Sequence, residues 1–180
     1  MMTIPELDEH ILKYIQGVFS QTDMEVLKRE VEKLKPGDIY VEVGVDEGRS
    51  ARVAHEYAHP DVYKLYVDIA NIDPHPVSIG RGKWMQQEGM VGIGKKGFFV
   101  HGDGDIFPKI FTSKVSLMFL DPHHGYEDIQ SCTLAWEKHV KKGGVILFHD
   151  YDHPGTKAFL DDHYGDKKEV FHGKIVKVVV

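Results

Sequence analysis

The stretch Tyr40-Val41-Glu42-Val43-Gly44-Val45-Asp46-Glu47-Gly48-Arg49-Ser50 decides how the rest of the chain is read. Alternating β-formers from Ile39 to Val43 predict a strand. Gly44 and Gly48 then predict a tight turn, and Ser50, Ala51, Arg52, Val53, Ala54 and Tyr57 predict a helix reaching about Ala58. A strand, a glycine turn and a helix N-terminus make a cradle for the polar part of a nucleotide-like ligand. Glycine carries no Cβ and tolerates positive φ, so the backbone can come close to that ligand. The spacing narrows the ligand further. A dinucleotide-binding turn reads G-x-G-x-x-G, whereas here Glu42 precedes a G-x-x-x-G turn that runs into Ser50. A carboxylate at 42 suits a cationic ligand and repels a pyrophosphate. The bland alternative is an ordinary βα turn of some other α/β protein.

Outward from this turn the chain alternates helices and strands. Before it, Leu7, Ile11, Ile15 and Val18 stand at helical spacing over residues 5–20. A second helix opens on a capping box at Thr22-Asp23-Met24-Glu25 and carries Met24, Leu27, Val31 and Leu34 on one face, ending at Lys35-Pro36-Gly37-Asp38. After the turn, Val62–Ile69 is the second strand, with Asp68 placed 20 residues beyond Gly48. An acid at that offset in a βαβ unit is positioned to accept from both ribose hydroxyls; the alternative is a solvated carboxylate at a strand end. The segment 77–97 holds six glycines, which predict weak regular structure. It is either a lid carrying Arg81, Lys83 and Trp84 or a surface insertion. Phe98–His101 is the third strand, followed by Gly102-Asp103-Gly104-Asp105, where Asp105 suits the N-cap of a short helix. Val115–Leu120 is an unbroken apolar run, as a buried parallel strand requires. Beyond Asp121-Pro122-His123-His124-Gly125-Tyr126-Glu127 a helix carries Ile129, Cys132, Trp136, His139 and Val140 and closes at Lys141-Lys142-Gly143-Gly144. Val145–Phe148 is the fifth strand, ending in His149-Asp150-Tyr151-Asp152-His153. A last helix through Ala158–Leu160 precedes a hairpin around His172-Gly173. This order implies one α/β domain over residues 1–180. It is a Rossmann-like open, mostly parallel seven-stranded sheet with helices on both faces and a C-terminal antiparallel hairpin.

Composition excludes several classes. The chain has 180 residues, one ordinary domain, with 22 basic and 28 acidic side chains and a formal charge of −6. An acidic chain without a basic run argues against a nucleic-acid partner. The lone Cys132 excludes an intrachain disulfide and fits a reducing, cytoplasmic setting. No signal-peptide pattern opens the sequence and no apolar run is long enough for a bilayer, so no membrane role is expected. The N-terminal helix and the terminal hairpin offer apolar edges for a homodimer.

The motifs, taken together, resemble one family. Glu42-x-Gly44-x-x-x-Gly48-x-Ser50 resembles the first motif of class I S-adenosylmethionine methyltransferases, E/D-x-G-x-x-x-G-x-S. Phe119-Leu120-Asp121-x-x-His124-x-Tyr126-Glu127, Lys142-Gly143-Gly144 and His149-Asp150-Tyr151 resemble a small branch whose motifs read D-G-x-H-S-Y-E, G-G and H-D-Y. That branch is similar to macrocin O-methyltransferase and the cephalosporin hydroxylase-like proteins. The likeness runs over roughly residues 38–165, with two departures: Pro122 for glycine and Gly125 for serine. It implies S-adenosylmethionine held by Glu42, Gly44, Glu47, Gly48, Ser50, Asp68, Gly102, Asp103 and Asp121, with Asp103 at the adenine edge. It implies methyl transfer to a small molecule at a hydroxyl oxygen. In catechol O-methyltransferase-like relatives an acid after the fourth strand and a pair after the fifth hold Mg²⁺; the corresponding residues here are Asp121, His149 and Asp150.

The residues support related chemistry on their own. Loops at the carboxyl ends of parallel strands share one crevice. Asp121, His123 and His124 would meet His149, Asp150, Asp152 and His153 there. Carboxylates with a histidine suit a divalent cation, and an imidazole fits Mn²⁺, Fe²⁺ or Zn²⁺ better than Mg²⁺. Without a metal, His149 or His124 would serve as general base beside Asp121. Other readings stay open: a metal-dependent hydrolase or oxygenase using this crevice, or a non-catalytic module that binds S-adenosylmethionine. An NAD-dependent oxidoreductase is disfavoured by the missing G-x-G-x-x-G.

Overall fold

The computed structural model describes residues 4–15, 18–46, 48–69 and 96–180. Seven strands form one sheet: β1 (Ile39–Val43), β2 (Tyr63–Asp68), β3 (Gly97–His101), β4 (Val115–Leu120), β5 (Val140–Phe148), β6 (Lys168–Phe171) and β7 (Ile175–Val179). Their order across the sheet is β3-β2-β1-β4-β5-β7-β6. The first five strands pair in parallel, and β7 runs antiparallel to both β5 and β6. The chain winds outward from β1 through β2 to β3, then returns to lay β4 on the other side of β1. The loops after β1 and β4 therefore diverge at the strands' carboxyl ends, and ligands bind at such a switch point in open α/β sheets.

Helices cover both faces. α1 (Ile4–Tyr14), α2 (Gln21–Val31) and α3 (Arg49–Tyr57) lie on one side; α4 (Tyr126–Glu137) and α5 (Pro154–Tyr164) lie on the other. The alternation of side chains along a strand divides the core. Tyr40, Tyr66, Leu117, Phe119 and Leu147 join Leu27, Val31, Val53 and Ala54 on the first face. Val41, Val67, Met118, Leu120 and Phe148 join Ile129, Trp136, Phe159 and Leu160 on the second. Every residue of β4 is buried, as its unbroken apolar run requires of a central strand. Among the described residues no helix is long and apolar enough to cross a membrane.

Four local expectations are corrected. The N-terminal apolar stripe stops at Ile15: Val18 is 76 % exposed, and helix α1 ends at Tyr14. The capping box of α2 starts at Ser20, with Asp23 rather than Glu25 as the returning acid. Asp105 caps no helix; its carboxylate takes the Ser131 hydroxyl, and the short turn Phe107–Lys109 is 3₁₀. Lys141-Lys142-Gly143-Gly144 does not close α4 but lies inside β5, which begins at Val140. The strand reaches back because Val140 pairs with Val115, and the register shift before Leu117 absorbs the glycines. Lys141 accordingly meets Asp38 at 2.7 Å instead of a helix end. The glycine-rich segment 77–97, with Arg81, Lys83 and Trp84, lies outside the described residues except at its last two positions.

Candidate active site

The turn after β1 is built around the two glycines of the quoted stretch. Gly44 and Gly48 have φ of +83° and +87°, a region that side chains rarely enter. A Cβ on Gly44 would stand 1.9 Å from the Asp121 carbonyl oxygen, so this glycine lets the β1 and β4 loops touch. Ladder bonds continue into the contact: Asp121 N donates to Val43 O at 2.8 Å, and Gly44 N donates to Val67 O at 3.0 Å.

Glu42 and Ser50 are brought together, but with each other. Ser50 Oγ donates to Glu42 Oε1 at 2.6 Å and Tyr40 donates its hydroxyl to Oε2 at 2.7 Å. Glu42 is fully buried. Burial pushes its carboxyl up to about 8, against the two hydroxyl donors, with the nearby Asp121 and Asp68 adding to the rise. Glu42 thereby braces β1 against the first turn of α3. Period-2 alternation carries the signal for Tyr40, since residues 40 and 42 share one face of the strand.

Asp68 ends β2 beside the same turn. Its Oδ2 accepts from the backbone N–H of Val45 at 2.6 Å and of Asp46 at 3.0 Å, which ties the turn down. Gly102 follows β3 and donates to the Asp68 carbonyl at 2.9 Å. Asp103 accepts from the Asp105 N–H at 2.7 Å and shapes its own turn. Glu47, also expected at this site, lies outside the described residues. The turn thus gathers Gly44, Gly48 and Asp68, with Gly102 and Asp103 on the adjacent loop.

Across from it, two carboxylates and two imidazoles form a closed ring at the ends of β4 and β5. His124 Nε2 lies 2.8 Å from Asp150 Oδ2 and 3.6 Å from Asp121 Oδ1. His149 Nδ1 lies 3.1 Å from Asp150 Oδ1 and 3.4 Å from Asp121 Oδ2. None of these contacts is a directed hydrogen bond, so both ring nitrogens are buried without one. Asp150 is held with φ of +53°, a left-handed conformation that Asp tolerates better than most side chains. The carboxylates of Asp121 and Asp150 raise His124 to about 10, against partial burial. Burial alone would lower His149, but Asp121, Asp150 and Asp23 override it and raise the ring to about 12. Asp150 is held far below the usual carboxylate range by His124 and His149.

Asp121, His149 and Asp150, the residues expected to hold a metal, stand together in this ring. The donor atoms that all lie within 4.8 Å of one another belong to Asp121, His124 and Asp150. His149, expected both in the metal set and as a candidate general base, is 2 % exposed. His153 lies tilted beside His124, ring centres 5.1 Å apart, while His123 and Asp152 face solvent.

Comparison with known proteins fits this geometry. The model of the "Methyltransferase domain" family matches residues 41–151, more than half of the chain, from β1 to the loop after β5. The chain belongs to this family. It is a class I S-adenosylmethionine-dependent methyltransferase in fold and motif. No curated protein matches it by sequence. Among solved structures it is similar to CalS11, a TDP-rhamnose 3'-O-methyltransferase of calicheamicin biosynthesis. The two are 15 % identical, with 99 % of this chain and 96 % of that chain covered and a TM-score of 0.63. It is similar to an rRNA methylase from Streptococcus thermophilus, at 10 % identity, 88 % and 94 % coverage and a TM-score of 0.61. A third likeness is to a Streptococcus mutans protein solved with S-adenosylhomocysteine, at 9 % identity, 86 % and 95 % coverage and a TM-score of 0.61. At these identities the likeness is one of fold, and neighbours of this methyltransferase act by name on both sugars and RNA.

Proposed function

We propose that this methyltransferase transfers the S-adenosylmethionine methyl group to a hydroxyl oxygen of a small molecule, with a divalent cation held by Asp121, His124 and Asp150. The convergence of these three donors beside the glycine turn carries the reading. The donor set fits a cation in chemistry as well as in spacing. Two carboxylates and a nitrogen suit Mn²⁺, Fe²⁺ or Zn²⁺ better than Mg²⁺. His124 Nε2 is buried beside both carboxylates with no directed hydrogen bond. An acidic crevice on a chain of net charge −6 also disfavours a phosphate-backed acceptor.

Bound there, a cation would lower the pKa of the acceptor hydroxyl and fix its oxygen. The chain's own residues supply the remaining steps. The sulfonium methyl is already activated, so orientation is the main requirement. Asp68 holds the turn that receives the cofactor, and Gly44 keeps that turn against Asp121. Oxygen attacks the methyl carbon in line as the carbon–sulfur bond breaks, and S-adenosylhomocysteine leaves. The hydroxyl proton passes to a carboxylate oxygen of Asp121, which is 25 % exposed, and on to solvent. In the cation-free protein His124 itself holds a proton and is no base near neutral pH.

Calorimetric titration with S-adenosylhomocysteine, with and without Mn²⁺, tests the proposal. Micromolar cofactor binding is expected, together with a Mn²⁺ heat that Asp150→Asn abolishes. Absence of cofactor binding sinks the reading as a whole, and cofactor binding without a Mn²⁺ heat removes the cation alone.

A further inference from the structure

Asp23 does more than its helix end requires. As the third residue of α2 it completes a capping box: its carboxylate accepts from Ser20 N at 2.8 Å and from the Ser20 hydroxyl at 2.6 Å. A capping carboxylate serves equally well in solvent, yet Asp23 is 1 % exposed, and its Oδ2 lies 3.5 Å from His149 Nε2. The other nitrogen of that ring faces Asp121 and Asp150. One imidazole therefore spans from an N-terminal helix to the floor of the crevice. Phe19 closes the corner beside it, its ring centre 5.5 Å from that of His149 and 5.7 Å from that of Phe119. Asp23 and His149 are both buried, so the charge contact between them is screened little.

We propose that Asp23 is a positioning residue of the methyl-transfer site: through His149 it fixes where Asp121 and Asp150 stand, and through them His124. The inference rests on the proposed function, because it is that reaction's crevice that is positioned. A ring touched by carboxylates at both nitrogens cannot turn about its Cβ–Cγ bond. Released at Nε2, it can turn, and Asp121 and Asp150 lose the partner they share. Asp23 also lies outside residues 41–151, so the segment preceding the family's own span supplies this anchor.

Ring spectra of ¹⁵N-histidine-labelled protein at one fixed pH test it without any metal, with His124 assigned by its loss in His124→Gln. Asp23→Asn is expected to shift the ring signals of both His149 and His124 and to leave His163 in place. Ser20→Ala removes the hydroxyl bonds of the cap but keeps the Asp23 carboxylate and its bond from the residue-20 N–H; it is expected to lower the melting temperature while both rings keep their positions. The proposal is overturned if Asp23→Asn leaves His124 unmoved, or if Ser20→Ala moves it equally. Should Asp23→Asn not fold, Asp23→Glu, which keeps a displaced carboxylate, is judged by the same spectra and the same two outcomes. Mn²⁺ titration then adds a second arm, with Asp23→Asn expected to weaken binding tenfold or more. A wild-type protein that binds no Mn²⁺ overturns the cation in the proposed function, whereas the ring spectra still decide the role of Asp23.

Discussion

Gly44 and Asp121 touch backbone to backbone: a methyl group on Gly44 would come within 1.9 Å of the Asp121 carbonyl oxygen. The glycine turn and the crevice are therefore one packed unit. Gly44→Ala meets two penalties, a left-handed φ of +83° and a clash that no side-chain rotation relieves. Together they are expected to destabilise the protein by about 2–4 kcal/mol. Denaturant unfolding reads that loss. Calorimetry of the folded fraction should show weaker S-adenosylhomocysteine binding and weaker Mn²⁺ binding at once. A variant that lost only one of the two would show that the sites are not coupled through this contact.

Asp68 braces the turn, and one substitution series decides whether its charge also serves the cofactor. Its Oδ2 receives the Val45 and Asp46 N–H groups, and a carboxylate acceptor makes each bond stronger than a neutral one. Asp68→Ala is expected to weaken S-adenosylhomocysteine binding at least tenfold, about 1.4 kcal/mol. Asp68→Asn keeps an acceptor for the turn but no charge. Affinity close to wild type in the Asn variant would make Asp68 purely a brace; affinity as poor as in the Ala variant would place its charge on the ribose hydroxyls.

The fold was legible because its signals are local and periodic. The apolar run Val115–Leu120 and the alternation Ile39–Val43 each describe a strand without reference to anything distant. The glycine turn was legible for the same reason, since Gly44 and Gly48 satisfy a backbone requirement that only nearby residues set. The crevice was legible in outline: Asp121, His124 and Asp150 lie at strand ends, where topology must bring them together. What local pattern could not supply was the depth of each side chain. His149 and Asp150 are adjacent in sequence, yet one is buried beneath the crevice and the other opens into it. The left-handed turn at Asp150, which no neighbouring glycine announces, separates them. Asp23 carries the ordinary signature of a capping residue, and its second partner stands at the far end of the chain.

Glu42 makes stability fall as pH rises. Its folded-state pKa of about 8 lies above that of an unfolded glutamate, so the folded chain holds the proton more tightly. The resulting stabilisation is complete below the unfolded value. It declines as pH rises towards 8 and is gone above it. Glu42→Gln keeps a donor and an acceptor for Tyr40 and Ser50 but cannot ionise. The difference in melting temperature between wild type and Glu42→Gln is therefore expected to turn against the wild type from pH 5 to pH 8 and to level off by pH 9. A difference that stays flat over that range would mean that Glu42 is ionised throughout.

Arg49 joins the N-terminal helix to the glycine turn. Its guanidinium donates Nη1–H to Phe19 O at 2.8 Å, Nε–H to Ile15 O at 2.7 Å and Nη2–H to Leu12 O at 3.1 Å, with a further bond to Ile15 O. These carbonyls belong to the last turn of α1 and the corner after it, where helical partners run out and a cation is favoured. Arg49→Ala leaves them without donors, and hydrogen bonds to a charged group contribute about 1.5–3 kcal/mol each before relaxation. Some of that is recovered by water, so a net loss of about 2–3 kcal/mol is expected in denaturant unfolding. Arg49→Lys should restore only part of it, because one ammonium cannot reach three carbonyls in the plane of a fork. The loss has a location as well as a size. Limited proteolysis should cut Arg49→Ala first between α1 and α2, around the exposed Val18, while wild type resists cleavage there. Equal cleavage of both proteins at that corner would show that packing of Ile11, Ile15 and Phe19, and not the guanidinium, holds α1 to the domain.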